Sequence, residues 1–254
     1  MISPAELFRA LTLPASASVN TRIPKKLLLE NGAPTAADKR LLQDRVEELL
    51  CLAILKPGTV GISGWSSEGR EYSEIAVLQL QMRPGKASPR LQELIHRAIP
   101  YPVLLICQDA GQTSISLACK RLAQRDSTRL VLEDPQTALC LGPADDAWLP
   151  DFLAALALTR QRQTSLYELY LSWHEALLAL LAARASGRFS LVPIQQIPQR
   201  RQFLQQVQEL EAQIATLRRR AAKEKQSAKQ VALNLEIKQA QALLQSCLSQ
   251  LHPT

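Results

Sequence analysis

The sequence predicts an α+β protein: a mainly antiparallel sheet with flanking helices, followed by a C-terminal helical coiled-coil arm. Three observations carry this. Strand-like runs cluster between residues 59 and 141 instead of alternating one by one with helices, which argues against a nucleotide-binding βαβ array. The fifteen prolines fall almost entirely before Pro198, so an irregular globular part precedes a regular one. From Gln199 to His252 there is no Gly and no Pro, and the stretch is rich in the strong helix formers Gln, Ala, Leu, Lys and Arg.

Taken in order, MISPAELFRALTLP begins with a short amphipathic helix, and Pro14 to Asn20 reads as a loop of small residues. Arg22-Ile23-Pro24 is extended, because a residue preceding proline is pushed out of the helical region. Lys25 to Glu30 forms a short helix that stops at Gly32. Thr35 caps a further helix over about 35–54, with Asp38 at the capping-box position and Leu41, Leu42, Val46, Leu49, Leu50 and Ala53 as its apolar stripe.

The period then changes. Thr59 to Gly64 and Tyr72 to Met82 read as strands, and Ser88 to Ala98 as a helix closed by Pro100. Pro102 to Cys107 and Ser114 to Cys119 form a hairpin about Gln108-Asp109-Ala110-Gly111. Leu130 to Leu132 and Ala138 to Leu141 are two more short strands. Pro150 suits a first helical turn. Ser165 and Glu168 form a capping box for a helix that is apolar nearly all round and stops at Gly187. The expected organisation is a globular domain over 1–148, a buried helix and linker over 149–198, and the arm over 199–252.

Within the arm, Phe203, Val207, Leu210, Ile214, Leu217 and Ala221 recur at alternating four- and three-residue steps, the spacing of a coiled-coil seam. Leu233, Ile237, Ala240, Leu244, Cys247 and Leu251 form a second seam out of phase with the first. The phase break favours an antiparallel hairpin turning near Lys223 to Ser227. The absence of a turn residue favours one rod of about 80 Å.

The chain of 254 residues carries a formal charge of +7. Nine basic and four acidic side chains from residue 196 onward place +5 of it in the arm. No apolar run is long enough to span a membrane, and the N-terminus lacks the basic start and cleavage site of a secretory leader, so the cytoplasm is expected. The five cysteines are odd in number, widely spaced and in apolar surroundings, which reads as buried free thiols.

Catalytic chemistry finds no pattern. GTVGISGWSSEG has no Gly-Lys-Ser/Thr and opens no helix, so it is no phosphate loop. Glu74 stands at a strand start, but the strand IAVLQLQMR lacks the second acid and the lysine that a metal-dependent nuclease needs. His96, His174 and His252 are far apart in sequence. The reading is therefore a protein without catalytic residues, cofactor or metal. Two basic clusters are candidates for nucleic-acid phosphates: Arg22, Lys25 and Lys26, and Arg218, Arg219, Arg220, Lys223, Lys225 and Lys229. The partner-binding candidates are the seam residues Phe203, Val207, Leu210, Ile214, Leu217, Leu233, Ile237 and Leu244.

SVNTRIPKKLLLENG (18–32), RAIPYPVLLI (97–106) and KEKQSAKQVALNLEIK (223–238) resemble the motifs of an uncharacterised bacterial family, catalogued as a domain of unknown function. Genes of that family lie beside DNA methyltransferases and SNF2- or restriction-type helicases in phage-defence islands. The resemblance implies an accessory subunit of a DNA-modifying or DNA-translocating defence system; with the seams and basic clusters added, the reading is an adaptor of a restriction-modification-like complex that docks a helicase or DNA methyltransferase and touches the backbone of double-stranded DNA. It supplies no catalytic residues. The competing expectations are a stand-alone, sequence-independent DNA-binding protein, an enzyme with an unrecognised site, and a homodimer formed through the seams.

Overall fold

The computed structural model describes residues 2–67, 69–85, 89–123, 126–133 and 137–251, with backbone alone for 123 and 126–130. It is α+β with a mainly antiparallel sheet. The chain divides into two compact units, residues 1–177 and 178–254.

In the first unit, α1 (Pro4–Ala10) is closed by a reciprocal capping box. The Ser3 hydroxyl accepts from the Glu6 N–H at 3.2 Å, and the Glu6 carboxylate accepts from the Ser3 N–H at 2.7 Å. Then come β1 (Ser18–Arg22), α2 (Lys25–Asn31), α3 (Ala36–Arg45), β2 (Val46–Leu55), the single turn α4 (Pro57–Val60), β3 (Trp65–Ser67), β4 (Arg70–Tyr72) and β5 (Ile75–Met82). They are followed by α5 (Pro89–Ala98), β6 (Val103–Asp109), β7 (Gln112–Leu117), β8 (Lys120–Ala123), β9 (Asp126–Leu132), β10 (Thr137–Leu141) and α6 (Leu149–Leu156). Six strands make the main sheet in the order β1-β2-β5-β6-β7-β10, and β3-β4 and β8-β9 are separate two-stranded ribbons.

Every pairing in the main sheet is antiparallel except β5 with β6. Parallel neighbours require a crossover, and α5 provides it. Its inward residues Leu91, Leu94 and Ile95 are fully buried and pack with Leu78, Leu80, Val103 and Leu105 of the sheet. Gly32 sits where α2 meets α5: a Cβ there would lie 2.6 Å from the Leu94 carbonyl oxygen, so only glycine allows this approach. The β6–β7 turn is the expected hairpin, with Ala110 (φ 46) and Gly111 (φ 83) both in the left-handed region. That is the backbone a two-residue hairpin favours.

Three expectations need correction. The helix expected over 35–54 ends at Arg45, and Val46–Leu55 is a central strand. The register shift between Val46 and Glu48 puts a three-residue step between the buried Val46 and Leu49, so the start of the strand mimics helical spacing, while Cys51, Ala53 and Leu55 follow at two-residue steps. The strand expected over Thr59 to Gly64 is the α4 turn followed by Gly61 at φ 71; the strand–turn–strand comes later, as β3 and β4. Ser18 to Asn20, expected in a loop, belongs to β1, an edge strand whose five residues are all exposed and which therefore has no apolar alternation to reveal it. Its Asn20 (φ 51) and the register shift between Ser18 and Thr21 break the flatness of the free edge. Ser88 and His252, included in the expected helix and arm, lie outside the described residues.

The helix α7 (Leu166–Ser186) runs across the division between the units. The Ser165 hydroxyl accepts from the Glu168 N–H at 3.2 Å, and Gly187 (φ 82) follows the helix. In the second unit, α8 (Ile197–Lys223) and α9 (Ser227–Gln250) pack on each other along their length, separated by Glu224-Lys225-Gln226. No described helix is long and apolar enough to cross a membrane.

Candidate functional site: the basic tip of the helical hairpin

The α8–α9 pair runs antiparallel. Leu217, Ala221 and Leu233 form one buried cluster with Ile237 against it, Gln206 lies beside Cys247 (Sγ to Oε1 3.5 Å), and Arg200 donates to the Leu251 carbonyl at 3.1 Å. The heptad spacing explains why these residues meet: four- and three-residue steps keep one stripe of each helix turned toward the other. Val207, Ile214, Leu217 and Leu233 are buried, whereas Phe203, Leu210, Ile237 and Leu244 are half-buried. Part of the seam is thus used inside the hairpin, where Leu217 and Leu233 meet.

The turn has no proline or glycine. Glu224 takes an extended conformation (ψ 128), and its carboxylate accepts from the N–H groups of Lys225 and Gln226, both at 2.9 Å. A side chain that satisfies two backbone donors replaces the usual turn residue. This fold-back brings the end of α8 and the start of α9 to one place. Arg218, Arg219, Arg220, Lys223, Lys225 and Lys229 gather there, all exposed, with Glu224 the one acid among them.

Helix stability explains only part of this charge. Arg220 and Lys223 in the last turn of α8 complement the negative end of its dipole. Lys229 in the first turns of α9 opposes that helix's positive end, and its first turn holds no acidic residue and no side-chain cap. Arg219 partly folds onto its own helix, bonding Ala215 O at 3.3 Å and Thr216 Oγ1 at 3.2 Å. The tip can therefore bind an extended anionic surface with cations aimed in several directions.

The other basic cluster is more nearly neutral. Arg22 lies 3.5 Å from Glu48, and Lys26 lies 3.7 Å from Glu30. Lys25 has its pKa lowered, first by partial burial and then by Arg83 and Arg22 nearby.

The densest group of reactive side chains is one the sequence did not suggest. His96, Ser116, Cys119, Lys120, Tyr170 and His174 lie in the core of the first unit. His96 Nε2 is 2.8 Å from Ser116 Oγ, and burial holds its pKa well below the ordinary histidine value, so the ring is neutral. The Tyr170 hydroxyl donates to Val103 O at 2.8 Å and accepts from the Ala118 N–H at 3.0 Å. Lys120 donates to the carbonyls of Ile99 and Tyr101, and burial lowers its pKa to about 7. His96, Ser116 and Tyr170 are 0% exposed and Lys120 is 4% exposed, so the group lies beneath the surface. These groups bond the end of α5 and the strands β6 to β8 together. Nothing in the sequence spacing reveals the cluster, because its members come from three separate stretches.

Glu74 forms an ion pair with Lys56 at 2.8 Å. Among the described residues no group of three or more His, Cys, Asp or Glu is placed to hold a metal ion. None of the five cysteines is in a disulfide; Cys51, Cys107 and Cys119 are buried as expected, but Cys140 is exposed and Cys247 half-buried. Cys140 sits on the outward side of β10, where the two-residue period gives its neighbours Leu139 and Leu141 the buried side.

No characterised protein and no solved structure matches the chain. Residues 11–244 match the model of the domain of unknown function DUF4391, and the chain belongs to the DUF4391 family.

Proposed function

We propose that this protein is a non-catalytic accessory subunit of a bacterial anti-phage, restriction-modification-like complex. It docks a helicase of the SNF2 or restriction type, or a DNA methyltransferase, and its hairpin tip touches the backbone of double-stranded DNA. The observation that carries the reading is the fold-back at Glu224, which assembles six exposed cations from two helix ends, some of them against the local helix dipole. Such an array neutralises phosphates without reading bases. The likeness of the 18–32, 97–106 and 223–238 segments to a family encoded beside DNA-modifying and DNA-translocating enzymes supplies the partner class.

The test is affinity purification of the tagged chain co-expressed with the genes beside it. Co-purification of a helicase or methyltransferase, retained in 0.5 M salt but reduced when the chain is ended after Pro198, supports docking through the hairpin. Recovery of the chain alone overturns it. A stand-alone DNA-binding protein is the second reading, favoured by the same tip. It requires duplex binding by the isolated chain at the affinity of the co-purified complex.

A further inference from the structure

The helix α9 is apolar on two sides. Leu233, Ile237, Ala240 and Leu244 face α8, and Leu233 and Ala240 are at most 7% exposed. On another side, Val231 is 59%, Leu235 58% and Leu243 60% exposed. Those are three of the six large hydrophobic residues found exposed among the described residues. At about 100° per residue, Val231, Leu235 and Ala242 fall within about 40° of one another, and Ala228, Ala232 and Leu243 widen the stripe to about 120°. All three alanines are exposed. The stripe's centre lies about 140° from the seam, so packing on α8 cannot cover it.

We infer that this stripe is a self-association surface, on which a second copy of the chain lays its own α9 antiparallel. Charge selects both the occupant and the direction. In a parallel pair the two basic tips would lie side by side, each with six cations and one acid. An antiparallel pair about Leu235, the middle of the stripe, separates residue 225 of the two copies by about 30 Å along the axis, several screening lengths at physiological salt. Each tip then runs beside the other copy's segment Gln239 to Gln250, which has no charged residue.

The register of the hairpin, with Gln206 beside Cys247 and Leu217 beside Leu233, puts the exposed acids Glu209 and Glu211 level with that same segment. Those acids stand on α8, across α9 from the second copy, and lower the net positive charge near the other tip without touching it. Glu236 also comes within about 8 Å, measured along the axis, of Lys229 in the second copy.

The surface is large enough. Pairing the stripe from Ala228 to Leu243 in both copies runs along about 24 Å and buries on the order of 1,000 Å² in total, the lower limit for a specific interface. With the two-fold at Leu235, the two copies of that leucine pack on each other and Ala228 of each copy lies opposite Ala242 of the other. The assembly is two-fold and closed, and it carries a basic tip at each end.

Sedimentation equilibrium of the full-length chain tests the inference, with circular dichroism to follow folding. The wild type forms a dimer. Leu235→Glu, a change at a site exposed in the monomer, weakens dimerisation at least about ten-fold without loss of helix. Glu236→Lys weakens it several-fold, and Lys229→Glu in the same chain restores it. A wild type that stays monomeric at about 100 μM overturns the inference. A dimer insensitive to Leu235→Glu, or a charge exchange without rescue, overturns it as well.

Discussion

Consider the replacement of Arg219, Arg220 and Lys223 by glutamine. Successive residues turn about 100° around a helix, which puts Arg219 and Lys223 on the side of α8 away from the buried Ile214 and Leu217, with Arg220 on the flank. Each cation that reaches a phosphate steepens the dependence of log affinity on log salt by about 0.9. If four of the six tip cations engage at once, the slope is about −3.6, and affinity falls about 150-fold between 50 and 200 mM salt. Removing the three outer cations leaves one of those contacts, a slope of about −0.9 and a loss of only about 3.5-fold over the same range. The assay is fluorescence anisotropy of a labelled duplex of mixed sequence, titrated with the full chain at several salt concentrations. Circular dichroism should be unchanged, since all three side chains are exposed. An identical slope for wild type and variant would refute the assignment of phosphate contact to the tip.

Two further predictions concern the scaffold of the first unit. Gly32→Ala places a methyl 2.6 Å from the Leu94 carbonyl and 2.7 Å from the Ala98 side chain, so α2 and α5 must separate; the cost is about 1–3 kcal/mol in chemical denaturation. The Asp38 carboxylate accepts from Arg90 at 2.9 Å and from the Thr35 hydroxyl at 2.8 Å, and the Arg90 guanidinium, its largest influence, holds its pKa down from 3.8 to about 2. Because the folded value is depressed, the stabilisation is complete above the unfolded pKa and is lost as pH falls through about 4 toward 2. Asp38→Asn should cost about 1–2 kcal/mol at pH 7, less than the full shift because the Arg90 side chain is 38% exposed, and almost nothing at pH 2.

Much of this fold is written in local signals. Ser165 and Gly187 bracket α7, Pro150 marks the start of α6, and the Ala110-Gly111 turn fixes the β6–β7 hairpin. The signals fail where tertiary context decides. Val46 to Leu55 carries a bulge that puts a three-residue step between the buried Val46 and Leu49, and its half-buried Leu50, Leu52 and Ile54 are apolar too, so a single-sequence reading takes the run for a helix. The edge strand at Ser18 to Arg22 is exposed throughout and so has no pattern at all.

The candidate site divides in the same way. The six tip cations and the two seams are visible as a run and a repeat. The gathering of those cations at one end depends on Glu224 bonding the backbone of the next two residues, which no turn rule anticipates. The core cluster about Lys120 and Tyr170 joins residues more than fifty apart in sequence and leaves no trace in spacing.

The proposed function has the chain assist an enzyme and do no chemistry on DNA. Reconstitution measures this most directly: the partner helicase or methyltransferase is assayed on duplex DNA with the wild-type chain, with the Arg219, Arg220 and Lys223 glutamine variant, and without either. The account predicts that the chain alone neither cleaves nor modifies DNA, that it raises the partner's activity at limiting DNA, and that the variant loses most of this gain. Turnover of DNA by the purified chain, or a partner indifferent to its presence, would contradict it.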